Sequence, residues 1–232
     1  MKKYPREAVS TEPVDCRECT LHQCILFADR ENIQLMPILE SVAAMRFAAG
    51  SALYSTGDPA AHIFVIREGL VKLVQYLADG TQRIVRLLPQ GTIAGLDALV
   101  DRPYEHTAVT LQPTYLCRIP IGAVHRLDNA CPDLHWQLIK RLKGSLHAAD
   151  EWLTELSTGS ARARLARLLV SLVGEGDECE IFSRENLGAM LGVTTETASR
   201  AMAEFKREGL VTEMELYRCR CVVGALREVA NE

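Results

Sequence analysis

Ser183-Arg184-Glu185-Asn186-Leu187-Gly188-Ala189-Met190-Leu191-Gly192-Val193-Thr194-Thr195-Glu196-Thr197-Ala198-Ser199-Arg200 is the stretch that decides the reading of this 232-residue chain. Ser183 is a residue type that caps a helix, and the helix it opens runs through Leu187 and Leu191. Gly192-Val193-Thr194 makes a tight turn, and Thr194 or Thr195 caps a second helix extending to about Glu208. Two short helices joined by a three-residue turn with Gly form the helix-turn-helix pattern. Leu187, Leu191, Val193, Ala198, Met202 and Phe205 are expected to pack inward, the small Ala198 permitting close approach of the two helices. Gly209-Leu210-Val211 ends the second helix and enters a strand, and Tyr217–Val223 continues as another, so the domain is expected to be winged.

The outward face of the second helix carries Thr195, Glu196, Ser199 and Arg200. Residues at i, i+3 and i+4 share a face, so Glu196, Ser199 and Arg200 point together. Arginine bonds O6 and N7 of guanine, and glutamate accepts from the cytosine amino group. Phosphate repels an acidic side chain, so Glu196 on a DNA-facing surface makes sense mainly as a base reader. The competing reading is a solvated helix face with a Glu196–Arg200 ion pair, worth little. Ser183, Arg184, Thr194 and Lys206 are the candidate phosphate contacts. Bulk charge gives no support to DNA binding. The net charge is -4 with a pI of about 5.9, and from Ser157 onward ten Arg and Lys face twelve Asp and Glu. The case rests on the motif.

Working outward, residues 132–157 show a helical period: Leu134, Leu138, Leu142, Leu146, Ala149, Leu153 and Leu156 recur every three or four residues. A long helix with one apolar seam needs a partner along it. Its own chain can supply part of that partner, and the same helix of a second copy the rest. Ser157-Thr158-Gly159-Ser160 is a hinge into the last domain.

Between Met45 and Arg118 short apolar runs (Ala52–Tyr54, His62–Arg67, Leu70–Leu77, Arg83–Leu88, Tyr115–Ile119) alternate with Gly50, Gly57-Asp58-Pro59, Glu68-Gly69, Asp79-Gly80 and Gln90-Gly91. Glycine supplies the positive φ of tight hairpin turns, so this texture predicts an antiparallel β-roll. A short helix is predicted at Ile33–Val42. The domains read as an arm at 1–30, a roll at 31–131, a dimerisation helix at 132–157 and a winged helix-turn-helix at 158–232, an α+β protein. No apolar run reaches the roughly 18 residues of a membrane span. Met1-Lys2-Lys3-Tyr4-Pro5 has no apolar stretch behind it, so a cytoplasmic location is expected. In a reducing cytosol the eight cysteines read as metal-binding or redox residues rather than disulfides.

This layout resembles the CRP/FNR superfamily of bacterial regulators over nearly all of the chain: the glycine-spaced roll, the long helix after Pro132, and Leu191-Gly192-Val193-Thr194-Thr195-Glu196-Thr197-Ala198-Ser199-Arg200. The last segment is similar to the FNR recognition helix. The resemblance implies that Glu196, Ser199 and Arg200 read a palindrome like TTGAT-N4-ATCAA. In the cAMP-binding branch a Gly-Glu turn and an Arg-Ser pair hold the nucleotide. Here the corresponding stretch is Gly91-Thr92-Ile93-Ala94-Gly95-Leu96-Asp97, followed by Tyr104-Glu105-His106-Thr107, with no arginine for the cyclic phosphate, so cAMP is not expected.

Cys16-Arg17-Glu18-Cys19-Thr20-Leu21-His22-Gln23-Cys24 puts three thiols within nine residues, and Cys117 stands in Tyr115-Leu116-Cys117-Arg118-Ile119-Pro120. This resembles the oxygen-sensing FNR branch, in which arm cysteines and one distant strand cysteine hold a [4Fe-4S] cluster. The Cys19–Cys24 gap is one residue shorter than in the best-known members. The resemblance further implies that Glu151, with Leu138, Leu142, Leu146, Ala149, Leu153 and Leu156, belongs to a homodimer seam that loosens when oxygen destroys the cluster. RNA polymerase would be a further partner. Haem sensing NO or CO, a zinc site with four thiolate ligands in which His22 can substitute for one thiol, and a thiol–disulfide switch at Cys16 and Cys19 remain open for the signal. Cys131, Cys179, Cys219 and Cys221 read as bystanders. An enzyme on the β-roll is disfavoured: His62 and His106 are isolated, and no Ser-His-Asp or HExxH pattern appears.

Overall fold

The computed structural model describes residues 4–6, 8–13, 41–130, 132–180, 182–214 and 218–231. The predicted helix at Ile33–Val42, apart from its last two positions, and Cys16, Cys19, Cys24 and Cys131 lie outside them. The chain forms two compact units, Met1–Thr81 with Val85–Leu146, and Gln82–Ile84 with His147–Glu232.

The first unit is the expected roll. One sheet orders its strands β1 (Ser10–Pro13), β2 (Ala43–Phe47), β9 (Thr114–Pro120), β4 (His62–Glu68) and β7 (Ile93–Ala94). The other orders β3 (Ala52–Tyr54), β8 (Thr107–Thr110), β5 (Val71–Tyr76) and β6 (Gln82–Leu88). The described pairings are antiparallel. The pleat sorts the core into two layers, because successive side chains point to opposite faces. Phe64, Ile66 and Leu116 join Phe47, Tyr54, Val71, Leu73 and Tyr104 in one cluster. Ile63, Val65, Cys117 and Ile119 join Val42, Ala123 and Val124 in another. The second layer is covered by α1 (Ile121–Ala130) and by Leu138 of α2 (Pro132–Ser157).

Gly69 illustrates why the turns are glycine-rich: φ is 95°, and a Cβ there would stand 2.7 Å from the Pro113 carbonyl oxygen. The roll contains more than the sequence indicated. Thr107–Thr110 is a strand without large apolar residues, Ser10–Pro13 of the polar arm adds an edge strand to β2, and α1 precedes the long helix.

In the second unit, α3 (Ala161–Leu172), α4 (Arg184–Leu191), α5 (Thr195–Arg207) and α6 (Val223–Ala230) pack with a sheet ordered β10 (Glu178–Glu180), β12 (Arg218–Cys221), β11 (Val211–Glu213). Ser160 caps α3 by accepting from the Ala163 amide at 3.0 Å. The predicted last strand, Tyr217–Val223, is shorter than expected: Val223 already opens α6, whose Leu226 and Val229 are buried. Leu187, Leu191, Ala198, Met202 and Phe205 are buried as expected, whereas Val193, in the turn between the two helices, is only half-buried. Arg162 stands over the Phe205 ring at 5.0 Å and pairs with Glu208 at the end of α5.

Phe205 is thus the largest side chain holding α5 in place. Phe205→Ala is expected to destabilise the protein by about 3–5 kcal/mol, measured by urea unfolding. A loss below about 1 kcal/mol would mean that α5 does not depend on this contact.

Candidate nucleic-acid interface and metal-ligating cysteines

The turn between α4 and α5 is built by three local devices. Gly192 ends α4 in the left-handed conformation, φ 66°, and its amide donates to the Gly188 carbonyl, the arrangement glycine favours at a helix C-terminus. Gly188 lets the turn close: a Cβ there would meet the Val193 carbonyl oxygen at 2.9 Å and the Thr195 nitrogen at 3.2 Å. Arg164 of α3 donates to the Leu191 carbonyl at 2.5 Å, satisfying one of the acceptors a helix end leaves open. Thr194, one of the two expected caps, then starts α5 by accepting from the Thr197 amide at 3.1 Å. Ser183 does the same for α4, accepting from Asn186 at 3.2 Å.

These devices fix the exposed face of α5. Thr195, Glu196, Ser199 and Arg200 line one open concavity of about 530 Å³ together with Arg184 and Ala203. The four residues expected to face DNA therefore share one surface. Both capping hydroxyls accept from the backbone, and the Thr194 hydroxyl also shares a hydrogen bond with the Thr197 hydroxyl at 3.0 Å. Lys206 and Arg184 converge on Glu213 of β11, Lys206 in a short ion pair and Arg184 at 3.2 Å. Sequence reasoning took Lys206 and Arg184 as phosphate contacts and missed Glu213, which ties both helices to the wing strand.

On α2 the apolar stripe is shifted from the expected seam. Trp136, Leu146 and Leu153 are 60%, 63% and 64% exposed, with Ile139 and Leu142 also open. Leu138 instead packs on the roll core, and Leu156 is only 4% exposed. Ala149 is half-buried and Glu151 is exposed, with a carboxylate oxygen 3.4 Å from His147 one turn away. Trp136 and Ile139 complete the 3–4 spacing towards the N-terminus of the helix and were not read from the sequence.

Cys117 is buried, 8% exposed, in the layer containing Val42, Val65, Ala123 and Val124. Its register partners are Ala44 and Val65. The arm's thiols lie outside the described residues, so of the expected ligand set only this sulfur is placed. In the roll, Tyr54 and Tyr104 stack at 3.8 Å, and the Tyr104 hydroxyl donates to the His62 carbonyl at 2.7 Å. Burial pushes the Asp97 carboxyl up, and Glu105 pushes it the same way.

Cys179, Cys219 and Cys221, which the sequence reading left without chelating partners, are brought together. β10 pairs with β12 in the register Glu178↔Arg220, Cys179↔Cys219, Glu180↔Arg218, so three buried sulfurs meet. Sγ separations are 3.2 Å (Cys179–Cys219), 3.7 Å (Cys179–Cys221) and 3.8 Å (Cys219–Cys221). A signal was present. Glu-Cys-Glu and Arg-Cys-Arg are charge-complementary strands, and Glu178 indeed pairs with Arg218 at 2.7 Å and Arg220 at 3.0 Å.

Comparison with known proteins agrees with this geometry. The cyclic nucleotide-binding domain matches residues 44–130, and the Crp-like helix-turn-helix domain matches residues 163–223. The chain is 27% identical over 220 residues to Electron transport regulator A of Shewanella oneidensis, covering 90% of this chain and 87% of that protein. It is 26% identical over 209 residues to the Fumarate and nitrate reduction regulatory protein of Escherichia coli, covering 85% and 83%. In fold it is similar to FixK2 of Bradyrhizobium japonicum, with a TM-score of 0.73, 19% identity and coverage of 81% and 96%. It is likewise similar to a CRP-family transcriptional regulator of Thermus thermophilus, with a TM-score of 0.66, 24% identity and the same coverage. The chain belongs to the CRP/FNR family of transcription regulators. Its relatives are regulators, not enzymes. No described helix is long and apolar enough to cross a membrane.

The Lys206 and Arg184 cations hold the Glu213 carboxyl below its ordinary value of 4.5, the Lys206 hydrogen bond contributing most. A depressed carboxyl contributes stability above its unfolded pKa and loses it as pH falls through the folded one. Acid unfolding below about pH 4.5, followed by circular dichroism, is therefore expected to become shallower in Glu213→Gln. Superposable acid curves would remove this ion pair from the stability of the domain.

Proposed function

We propose that this regulator is a homodimeric, oxygen-responsive transcription factor of the FNR type that binds a two-fold symmetric DNA site resembling TTGAT-N4-ATCAA. The observation that carries the DNA reading is the shared exposure of Thr195, Glu196, Ser199 and Arg200 on one face of a capped helix, beside Arg184. Arg200 would donate to a guanine O6 and N7, Glu196 would accept from a cytosine amino group, and Ser199 can serve either base. Ser183, Arg184 and Thr194 would contact phosphate and set the register. Lys206 would do so while sharing Glu213. Two such helices in successive major grooves stand about 34 Å apart, which asks for a dimer. The solvent-facing stripe Ile139, Leu142, Leu146 and Leu153, with Ala149 and Glu151 beside it, supports a second copy of α2 as that partner. Leu138 and Leu156 would serve the seam from beneath, by holding the helix that presents it.

Cys16, Cys19, Cys24 and Cys117 would hold a [4Fe-4S] cluster, whose chemistry is lability towards oxygen. Two features of the roll support this donor set. Glu12 pairs with Ala44, and Ala44 with Cys117, so the arm enters the sheet two strands, roughly 10 Å, from that sulfur. Cys16 follows Pro13 by three residues, a reach of about 10 Å when extended. Cys117 also lies in the same cluster as α1 and Leu138, so tying the arm to Cys117 bears on the layer that seats α2. Releasing the arm would loosen that seat, and the Glu151 carboxylates brought close across the dimer would then oppose association. Asp97 and Glu105 make the roll a poor cradle for the phosphate of cAMP. Haem, zinc at the arm and a Cys16–Cys19 disulfide are outcomes that the same assay separates. RNA polymerase is the partner that activation would require, and a cytoplasmic location follows from binding chromosomal DNA.

Cys117→Ser, isolated without air, is expected to lose its acid-labile sulfide and anaerobic DNA binding while the C-terminal domain stays folded. Normal iron and sulfide in that variant would remove Cys117 from the ligand set, and a Soret band in the parent would favour haem. Arg200→Ala is expected to cost about 1–3 kcal/mol at the guanine position and to flatten preference there, read by gel shift on base-substituted sites. An equal loss on every sequence would make Arg200 a phosphate contact.

A further inference from the structure

The proposed function leaves the three-cysteine cluster of the wing sheet unused. Its members are 4%, 0% and 2% exposed, and their sulfurs come from two strands, so the arrangement is set by the β10–β12 register. All three sulfurs lie within 4.8 Å of one another, and among the described residues no His, Asp, Glu or further Cys joins them. A thiolate–metal bond of about 2.3 Å puts sulfurs roughly 3.8 Å apart around a tetrahedral ion and 4.0 Å apart around a trigonal one. The separations of 3.2, 3.7 and 3.8 Å reach that spacing with displacements below an ångström. The donor set is soft, which favours Cu(I), Zn(II) or iron–sulfur chemistry over hard cations. Zinc in structural sites takes four ligands, whereas three sulfurs without a fourth donor suit an ion of lower coordination number.

We propose that Cys179, Cys219 and Cys221 form a three-thiolate site for Cu(I), built into the wing of the DNA-binding domain. On binding, three S–Cu bonds replace three S–H bonds and the protons leave to solvent, with no change of oxidation state. The site is placed to matter for DNA recognition. Cys219 is the register partner of Glu213, and Glu213 holds Arg184 and Lys206 of the two helix-turn-helix helices. Occupancy would fix the strand pairing that positions this carboxylate.

The test uses the full chain carrying Cys16→Ser, Cys19→Ser and Cys24→Ser, so that the arm cannot compete. Cu(I) is offered without air against a chromogenic Cu(I) chelator. One equivalent per chain is expected to transfer, with three sulfur neighbours in the copper X-ray absorption spectrum. Adding Cys179→Ser or Cys221→Ser is expected to weaken binding by at least the roughly 100-fold that losing an outer-shell partner of a ligand can cost. No transfer, full transfer by a folded Cys221→Ser chain, or a Cys179–Cys219 disulfide in the anaerobically isolated parent would overturn the proposal. So would Zn(II) binding in preference to Cu(I) with a four-ligand shell. If the cysteine variants unfold, the sulfur count around copper in the parent decides by itself.

Discussion

The alternation of side chains along β9 is the constraint on which the rest of this regulator depends. Leu116 points into the space between the two sheets, and Cys117, one residue on, points to the opposite face. A shift of one residue in the pairing with β2 and β4 would exchange them. It would bury the thiol inside the sandwich, away from both the arm and the helices. The register is held by apolar partners on both sides, Val65 and Ile119 in one layer and Ile66 and Phe47 in the other. The position of one sulfur under α1 and Leu138 thus follows from ordinary core packing, and the sensing reading inherits its geometry from that packing.

The second constraint is the close approach of α4 and α5. It requires glycine at 188, because any Cβ would run into the Val193 carbonyl, and a left-handed residue at 192. With the turn closed and both N-termini capped, Glu196, Ser199 and Arg200 have no choice of face. In the proposed complex, base reading and phosphate contact would be separate jobs of one short motif: the exposed face of the first half of α5 would meet base edges, and the capped N-termini and Arg184 the backbone of the duplex.

The helix-turn-helix and the roll were legible because their signals are local. A caps–Gly–caps pattern and a spacing of short apolar runs by glycine turns survive without knowledge of tertiary contacts. α1 and α3 were less visible: α3 alternates Arg with Ala and Leu, a pattern that its buried side only explains once the sheet and α6 are in place. Thr107–Thr110 was missed because its buried threonines bond to backbone groups rather than advertising a core. The seam of α2 was displaced, since Leu138 and Leu156 are as apolar as Leu146, and only packing decides which leucines face inward. The wing cysteines were hidden by distance along the chain, forty residues between Cys179 and Cys219. Only the complementary charges flanking them carried the pairing.

The proposed oxygen sensing requires that four thiols, three from the arm and Cys117, meet at one inorganic centre that governs association. The direct measurement is sedimentation of the full chain isolated without air, with iron and sulfide counted in the same sample before and after aeration. About four iron and four sulfide per chain in a dimer, falling to monomer as sulfide is lost, is the predicted result. A dimer that holds neither iron nor sulfide and sediments identically in air would contradict it.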